Sequence, residues 1–285
     1  MRQVGLVCCI AILLGLCGAG HRFVPTPAAA AEPPAADSAS SVRSTTLEFE
    51  LLADDKPAGK MTYRVMEVQD KVILQVRFEI ARRDKQAGFD SLIVYRTGER
   101  PLPERATAST RLGTFKLMEG EAVFVPAAEG AGLVAQLNVR GFADRDQKPF
   151  DAPRELKKEI PVPASPRGVP AGLVLSAPAF LYFGPRLLDG PGRVENVVHL
   201  EVPDDIDFPA FLNFKTDCVL TRGEWDDQGR SEIVLAQRFP GDNYRPLAKI
   251  TVDREGRIVA GMLGKFALRP ATPEQAPGEK GGTGG

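Results

Sequence analysis

Apolar and polar residues alternate along much of the first half of the chain. Between residues 72 and 80 every second position is apolar, namely Val72, Leu74, Val76, Phe78 and Ile80. A period of two is typical of a β-strand with one buried face. The same period predicts earlier strands at 47–51 and 61–65, and "QDK" at 69–71 predicts a tight turn. Shorter strands are predicted at 89–95, 114–118, 121–125 and 132–139. No segment of helical length separates them, so the pattern indicates an antiparallel meander.

Residues 141–171 interrupt this alternation with six prolines. Proline lacks the backbone N–H and has a fixed φ, so the segment cannot form a regular helix or a central strand. We expect a long connection that crosses the surface or an open end of the sheet, and loops of that length are often functional.

The next segment, "GLVLSAPAFLYFGPRLL" at 172–188, is strongly hydrophobic. Pro178 and Pro185 limit it to one or two helical turns or a short plug. Alternating patterns then resume, and they predict strands at 194–202, 214–220, 233–238, 247–252, 258–262 and 266–268.

The N-terminal residues have the pattern of an export signal. Arg2 precedes an apolar run from Val4 to Leu16, which is short for a membrane span, and Ala29-Ala30-Ala31 fits a cleavage site. We therefore predict a signal peptide at 1–31, a flexible leader rich in Pro, Ala and Ser at 32–44, and a disordered tail at 270–285. Cys17 follows the apolar run, so a lipid anchor is an alternative, but Leu16 is not the small residue that a lipobox has before its cysteine.

Composition narrows the class of protein. With 43% apolar and 26% charged residues, the chain has the composition of a globular protein, and residues 45–269 can form a single β-rich domain. The formal net charge of −1 gives no electrostatic argument for binding to nucleic acid or an anionic membrane. Cys218 is the only cysteine outside the predicted signal, so the exported form has no intramolecular disulfide.

The phrase Asp-x-x-Gly-Arg occurs twice, at 226–230 and 253–257. Strand patterns flank both copies. Asp opens a type I turn by accepting backbone hydrogen bonds, and Gly takes the left-handed position that closes the turn with a bulge. A calcium loop needs oxygen ligands at alternate positions and a distal Glu, which both copies lack. Both copies are therefore predicted to be hairpin ends.

No residue pattern of a common enzyme class is present. His199 is predicted to face solvent together with Glu195 and Glu201, whereas Cys218 is predicted to lie in the core as an inert thiol, so a Cys–His dyad is not expected. The sequence contains no G-x-S-x-G motif, no P-loop and too few His and Cys residues for an ordinary zinc site. "PDDIDF" at 203–208 is predicted to be a turn. We expect no cofactor, no metal and no catalytic activity.

The remaining candidate site is apolar and consists of Phe180, Leu181, Tyr182 and Phe183. These residues either fill the concave side of the sheet as core or line a groove for an apolar ligand or a partner's peptide. Tyr182 would add a polar tip to a large apolar surface.

Several segments together resemble an exported family. They are the export signal, "ADDKPAGKMTYRV", "LSAPAFLYFGPRLL" and "LAKITVDREGRIVAGMLGKFALR". The chain from Thr45 to Arg269 resembles the periplasmic domain-of-unknown-function family numbered 3108, and more loosely the half-barrel lipoprotein carriers. This resemblance implies a strongly curved antiparallel sheet, a half-barrel or open barrel, wrapped around a short helix. It carries no known activity, and the proline-rich segment 141–171 departs from the family pattern.

Three functions are compatible with these observations. The first is an exported, periplasmic or extracellular, non-catalytic binding or carrier module for an apolar or lipid-like ligand. The second is a structural or assembly protein that binds other envelope proteins through sheet edges or the 141–171 segment. The third is a hydrolase with paired carboxylates, which no residue pattern supports. A cavity along 180–183 would favour the carrier, and an envelope partner would favour the assembly protein. Two converging carboxylates would favour the hydrolase.

Overall fold

A computed structural model describes residues 42–82, 85–98, 100–128, 132–143, 148–163, 173–201, 212–241 and 243–271. Their strands form one sheet of fifteen strands. The elements are β1 (Arg43–Ala53), β2 (Lys56–Val68), β3 (Lys71–Arg82), β4 (Lys85–Arg96), β5 (Leu102–Leu112), β6 (Phe115–Pro126), β7 (Leu133–Ala143), β8 (Pro149–Pro161), β9 (Leu173–Ser176), α1 (Ala177–Leu187), β10 (Gly192–Glu201), β11 (Asn213–Arg222), β12 (Arg230–Phe239), β13 (Asn243–Asp253), β14 (Ile258–Leu263) and β15 (Phe266–Pro270). The signal, leader and tail predictions lie largely outside the described residues; β1 begins at Arg43, two residues before the predicted domain.

The sheet consists of two meanders joined at the first and last strands. Its order is β8-β7-β6-β5-β4-β3-β2-β1-β15-β14-β13-β12-β11-β10-β9, so β8 and β9 are its edges and the sheet is open. β1 pairs with β15 from Phe49 to Leu52 and with β2 along its whole length. This arrangement confirms the prediction of a mainly β, open-barrel-like fold with a short helical element.

One correction concerns the direction of the strands. β9 runs parallel to β10, whereas every other pairing between described strands is antiparallel. β9 comes directly before α1, and the helix carries the chain back to the start of β10, as a parallel crossover requires.

The helix α1 packs against β3 of the first meander and against β9, β10, β12 and β13 of the second. Its eleven residues make about three turns, so the predicted limit of one or two turns is wrong. Pro178 lies in the first turn, where a helix needs no N–H donor, and Pro185 lies close to the C-terminal end. The Ser176 side chain caps the N-terminus by accepting a hydrogen bond from the Ala179 N–H at 3.2 Å.

A buried arginine donates a hydrogen bond to the backbone just beyond the C-terminal end of the helix. Arg222 is 7% exposed and donates to the Leu188 carbonyl oxygen at 2.6 Å and to Ser231 Oγ at 3.2 Å. Its guanidinium also lies 4.6 Å from the ring of Trp225. A cation at this end of a helix is favoured by the helix dipole.

Two strands of the first meander differ from the prediction. β5 was not predicted, because its inward residues include Ala106 and Ala108, which give little hydrophobic contrast with Thr107 and Ser109. β6 was predicted as two short strands, but it continues through Glu119 and Gly120 as one strand of twelve residues.

The proline-rich segment is the main correction. Residues 149–161 form an edge strand of thirteen residues that pairs with β7, rather than a connection across the surface. The Val162 N–H donates to the Leu133 carbonyl at 2.8 Å. In the regular register from 154 to 162, the N–H and C=O groups of even-numbered residues therefore point towards β7. Pro161 is at an odd position of this register, where the backbone N points away from β7, so its missing N–H costs no hydrogen bond to that strand. An edge strand tolerates such prolines, whereas a central strand does not.

Both Asp-x-x-Gly-Arg phrases form the predicted hairpin ends. Gly229 and Gly256 have φ values of 70° and 77°. The Asp253 side chain accepts hydrogen bonds from the Glu255 and Arg257 N–H groups at 3.1 and 2.9 Å, and Asp226 acts in the same way. The spacing that the two copies share therefore reflects backbone geometry.

Candidate functional site

The four predicted apolar site residues lie on α1 and are buried. Phe180 is 0% exposed, and Leu181, Tyr182 and Phe183 are 3%, 9% and 6% exposed. Phe183 makes edge-to-face contacts with Tyr95, at 5.3 Å between ring centroids, and with Tyr182, at 4.8 Å. Edge-to-face pairs of this kind stabilise a core beyond the area that they bury. The protein's own side chains therefore occupy the surroundings of these residues, and ligand binding there stays a prediction.

Three tyrosine hydroxyls connect the helical segment to the first meander. Tyr63 donates to the Pro178 carbonyl at 2.9 Å, and Tyr182 donates to Glu67 Oε1 at 2.6 Å. The Tyr95 hydroxyl accepts from the Ser176 N–H at 3.1 Å and lies 3.4 Å from Ser176 Oγ. Burial raises the pKa of Tyr95 to about 12, so at neutral pH its hydroxyl keeps the proton that it donates towards Ser176 Oγ while it accepts from the Ser176 N–H.

The outer end of this cluster is the part that reaches solvent. Arg186 stacks on the Tyr182 ring at 3.8 Å from its centroid and lies 3.8 Å from Glu67 Oε1. Burial, together with the hydrogen bond to Glu67, raises the pKa of Tyr182 to about 12. The predicted polar tip of Tyr182 is therefore bonded to the protein itself.

His199 was predicted to face solvent, and this prediction is wrong. The residue is 6% exposed, and its Nδ1 lies 3.0 Å from the Leu175 carbonyl oxygen. Asn196 has a φ of 59°, and the β10–β11 register shifts on both sides of Val197, so the alternation counted along the sequence does not continue through β10. Residues 197–200 are all buried, which means that both faces of this part of β10 are covered.

Cys218 is buried, as predicted, and is a free thiol. Burial raises the pKa of its thiol to about 11, and burial lowers the pKa of His199 to about 4. A neutral thiol is a weak nucleophile, so the two residues do not form an activated dyad at neutral pH. "PDDIDF" lies outside the described residues. Within the part of the chain that the structure describes, no group of three or more His, Cys, Asp or Glu side chains is arranged to hold a metal ion.

An open groove of about 510 Å³ lies on the outer face of the first meander, across β3 to β7. Its floor includes the backbone of Ser91, Ala108 and Gly120, which are directly opposite one another in the register. Two rows of outward side chains flank this floor. The first row is Gln75, Leu92, Thr107, Glu121 and Asn138, and the second is Arg77, Asp90, Ser109, Glu119 and Arg140.

Side-chain length shapes the groove. Thr107 and Ser109 are short and lie on the central strand β5, between longer side chains from β4 and β6. Strands are about 4.8 Å apart, so the groove extends about 19 Å across five strands. The groove is therefore long enough to hold a segment of an extended polymer that lies across the strands.

The acidic side chains in the groove are all paired with basic neighbours. Arg77 Nε lies 2.7 Å from Asp90, and Lys116 Nζ lies 2.7 Å from Glu119. Glu121 pairs with Arg105 at 2.6 Å. What the walls offer to a ligand is therefore a mixture of amides, hydroxyls and neutralised ion pairs.

This groove was not predicted from the sequence. Its three carboxylates, Asp90, Glu119 and Glu121, lie on two strands separated by β5, which itself was not predicted. The signal available in the sequence is the outward Thr107 and Ser109 in a strand flanked by charged strands. Only the strand register shows that these residues form two rows.

Comparison with known proteins gives little. No protein-family model matches the chain, and no curated protein matches it. The chain is similar to a crystal structure of a beta-barrel-like protein of the domain-of-unknown-function family 1849 from Brucella abortus, with 13% identity and a TM-score of 0.38. The match covers 79% of this chain and 93% of that protein. A likeness of this size assigns neither a family nor a function.

The described helix is also far too short to cross a bilayer, and no other described segment is a helix of membrane-spanning length and apolarity.

Proposed function

We propose that the protein is an exported, non-catalytic binding module of the cell envelope that holds a hydroxyl-rich, uncharged ligand, such as a segment of a glycan, in the groove across β3 to β7. The observation that carries this proposal is the groove itself, with two rows of mostly polar side chains about 19 Å long. Export rests on the sequence pattern of residues 1–31 and belongs to the same proposal.

The chemistry of the walls favours an uncharged ligand. Gln75 and Asn138 each offer donors and an acceptor, and Thr107 and Ser109 offer hydroxyls. The charged side chains already neutralise one another, so an ionic ligand would have to break existing pairs. Leu92 adds apolar area against which the C–H face of a sugar ring can pack.

The apolar-carrier hypothesis is the second candidate. In it, a lipid-like ligand would contact Phe180, Leu181, Tyr182 and Phe183. Because these side chains are buried against the sheet, such a ligand would have to displace the helix or the tyrosine hydroxyls that connect it to β2 and β4. The looser resemblance of the sequence to the half-barrel lipoprotein carriers supports this second candidate, and an envelope assembly role is the third.

The experiment is a binding screen of soluble neutral oligosaccharides against the full chain. The groove variant is Ser109→Phe, which places a large ring in the second row, on the central strand of the groove. The matched control is Thr251→Phe, which adds the same ring to the outer face of β13, outside the groove. We expect the control to bind as the natural protein does and the groove variant to lose about tenfold or more in affinity, because a filled groove excludes the ligand.

The same samples also test whether the protein is an enzyme. Asp90, Glu119 and Glu121 could in principle act as an acid and base pair on a glycosidic bond, but each has a basic partner. We expect the bound oligosaccharide to be recovered intact after prolonged incubation. Shortened products that disappear in Ser109→Phe would replace the binding module with a glycosidase.

If the protein binds a lipid instead of oligosaccharides, and Ser109→Phe leaves that binding unchanged, the result would support the apolar carrier and contradict ligand binding in the groove.

A further inference from the structure

The edge strand β8 is long and exposed. It has thirteen residues, and of these only Phe150, Leu156 and Ile160 are partly buried. On one side it pairs with β7, and on the other side it pairs with no strand in the part of the chain that the structure describes. Unpaired edges are surfaces on which another strand can add.

The backbone groups that face away from β7 can be assigned from the register. The pairing is unbroken from Gly141 with Arg154 to Val134 with Pro161, and Val162 next to it donates to Leu133. Backbone groups alternate in direction along an antiparallel ladder, so Glu155, Lys157 and Glu159 point their N–H and C=O groups outward. Pro153 and Pro161 bound this stretch, and proline cannot donate. Between these two prolines, β8 therefore offers the N–H groups of Glu155, Lys157 and Glu159 to a second strand.

Within this stretch, β8 is complementary to itself. When two copies meet antiparallel with Lys157 opposite Glu159 of the second copy, the two-fold axis makes this pair occur twice. The same register places Leu156 opposite Ile160 of the second copy, again twice, on the inner face of the sheet. It also gives about six backbone hydrogen bonds, from the Lys157, Glu159 and Glu155 N–H groups of both copies.

Registers in which the two-fold axis moves towards the start of β8 are unfavourable. If each strand shifts by one residue in that direction, Glu155 lies opposite Glu159 of the second copy, and Lys157 lies opposite the second copy's Lys157. A further shift pairs Glu155 with Lys157 but opposes Arg154 to Lys158, twice. Like charges directly opposite each other destabilise a sheet, whereas opposite charges stabilise it. In the favoured register the like-charged pair is Lys158 with itself, at the axis, where two exposed long side chains can diverge.

The ion pairs within one chain also favour this register, because they leave Lys157 without an acidic partner among the described residues. Glu155 is bonded to Arg140 and Glu159 to Gln136, both on β7. In the part of the chain that the structure describes, Lys157 is exposed and has no acidic partner. The second copy supplies that partner.

We propose that two copies of this chain associate through β8, antiparallel and with Lys157 opposite Glu159, to form one continuous sheet across a two-fold axis. An isologous contact of this kind closes on itself and gives a dimer rather than a fibre. The proposal stands independently of the ligand in the groove.

The experiment measures the mass of the full chain in solution by light scattering and analytical ultracentrifugation over a range of concentrations. The natural protein is expected to change from monomer to dimer with increasing concentration. Lys157→Glu and Glu159→Lys each replace two attractive pairs with two repulsive ones, so each variant alone is expected to be monomeric. When the two variants are mixed, position 157 of each copy faces the opposite charge at position 159 of the other copy. The mixture is therefore expected to form heterodimers.

The matched control is Lys158→Glu, which exchanges one like-charged pair at the axis for another and is expected to dimerise as the natural protein does. Circular dichroism confirms that each variant is folded, and restored dimerisation in the mixture itself shows that both single variants keep the edge intact. A natural protein that stays monomeric at every concentration overturns the proposal. So do single variants that dimerise normally, or a mixture that stays monomeric.

Discussion

Acid should destabilise the protein through one histidine well before its carboxylates are protonated. His199 is buried beside the Leu175 carbonyl, and Glu201 and Lys215 are the charged groups that act on it. Burial lowers the pKa of His199 to about 4 in the folded chain. In the unfolded chain its pKa is about 6.5, so between these values the unfolded state binds a proton that the folded state does not.

The sign and size follow from this difference. The contribution of His199 is fully present above about pH 6.5 and is lost as the pH falls towards 4. One pKa unit corresponds to about 1.4 kcal/mol, so acidification from about pH 7.5 to about pH 4.5 should lower the free energy of unfolding by about 2.5 kcal/mol. The pKa values of Asp226, Asp253 and Glu104 are also lowered, by hydrogen bonds to basic partners and, for the two aspartates, to backbone N–H groups. Their stabilising contribution is present above about pH 4.5 and is lost only below it.

The assay is urea unfolding followed by circular dichroism at several pH values, for the natural protein and for His199→Leu. The substitution changes stability at neutral pH by an amount that does not matter here, because the comparison is between the two slopes against pH. We expect the slope between about pH 6.5 and 4.5 to disappear in the variant. An equal slope in both proteins, or a His199 ring that titrates near its ordinary pKa by NMR, would refute the reasoning.

Three further predictions concern stability. Tyr95→Phe should lower the free energy of unfolding by about 1–3 kcal/mol, because the Ser176 N–H then stays buried without its acceptor; equal urea midpoints for the two proteins would contradict this. Phe180→Ala should cost about 3–5 kcal/mol, because the ring is fully buried on α1, and an effect below about 1 kcal/mol in the same assay would mean that the helix is not part of the core. Gly256→Ala should cost about 1 kcal/mol, because its φ of 77° strains any other residue. Gly190→Ala, at a position without such a φ and with open space around it, is its control in thermal unfolding.

Strands were predictable where one face is apolar and the other is polar. β2 and β3 carry that contrast, and the turn between them lies at Gln69 and Asp70, within the predicted residues 69–71, with Gln69 in the left-handed region. The two Asp-x-x-Gly-Arg hairpins were predictable for the same kind of reason, since a tight turn is determined by a few adjacent residues.

Features that depend on distant parts of the chain were not predictable. β5 carries Ala106 and Ala108 on its inner face, so its hydrophobic contrast is weak. β8 depends on its place at the edge of the sheet, where Pro161 needs no hydrogen-bonding partner. His199 is buried because of a bulge at Asn196 and because β9 pairs beside it.

The candidate site divides in the same way. The apolar character of Phe180 to Phe183 could be predicted from composition alone, whereas the packing that buries these side chains depends on Tyr63 and Tyr95 in strands more than eighty residues away. The groove depends on the register of five strands, which no local pattern contains.

The most direct test of the binding site is to map it at the level of single residues. In an NMR titration with the tightest-binding neutral oligosaccharide of the screen, we expect the amide signals of Thr107, Ser109, Glu121 and Asn138 to shift with a single saturable affinity. The signals of Phe180 to Phe183 should stay in place. Shifts confined to Phe180 to Phe183, or saturable shifts that leave the groove unchanged, would contradict the assignment of the groove as the ligand site.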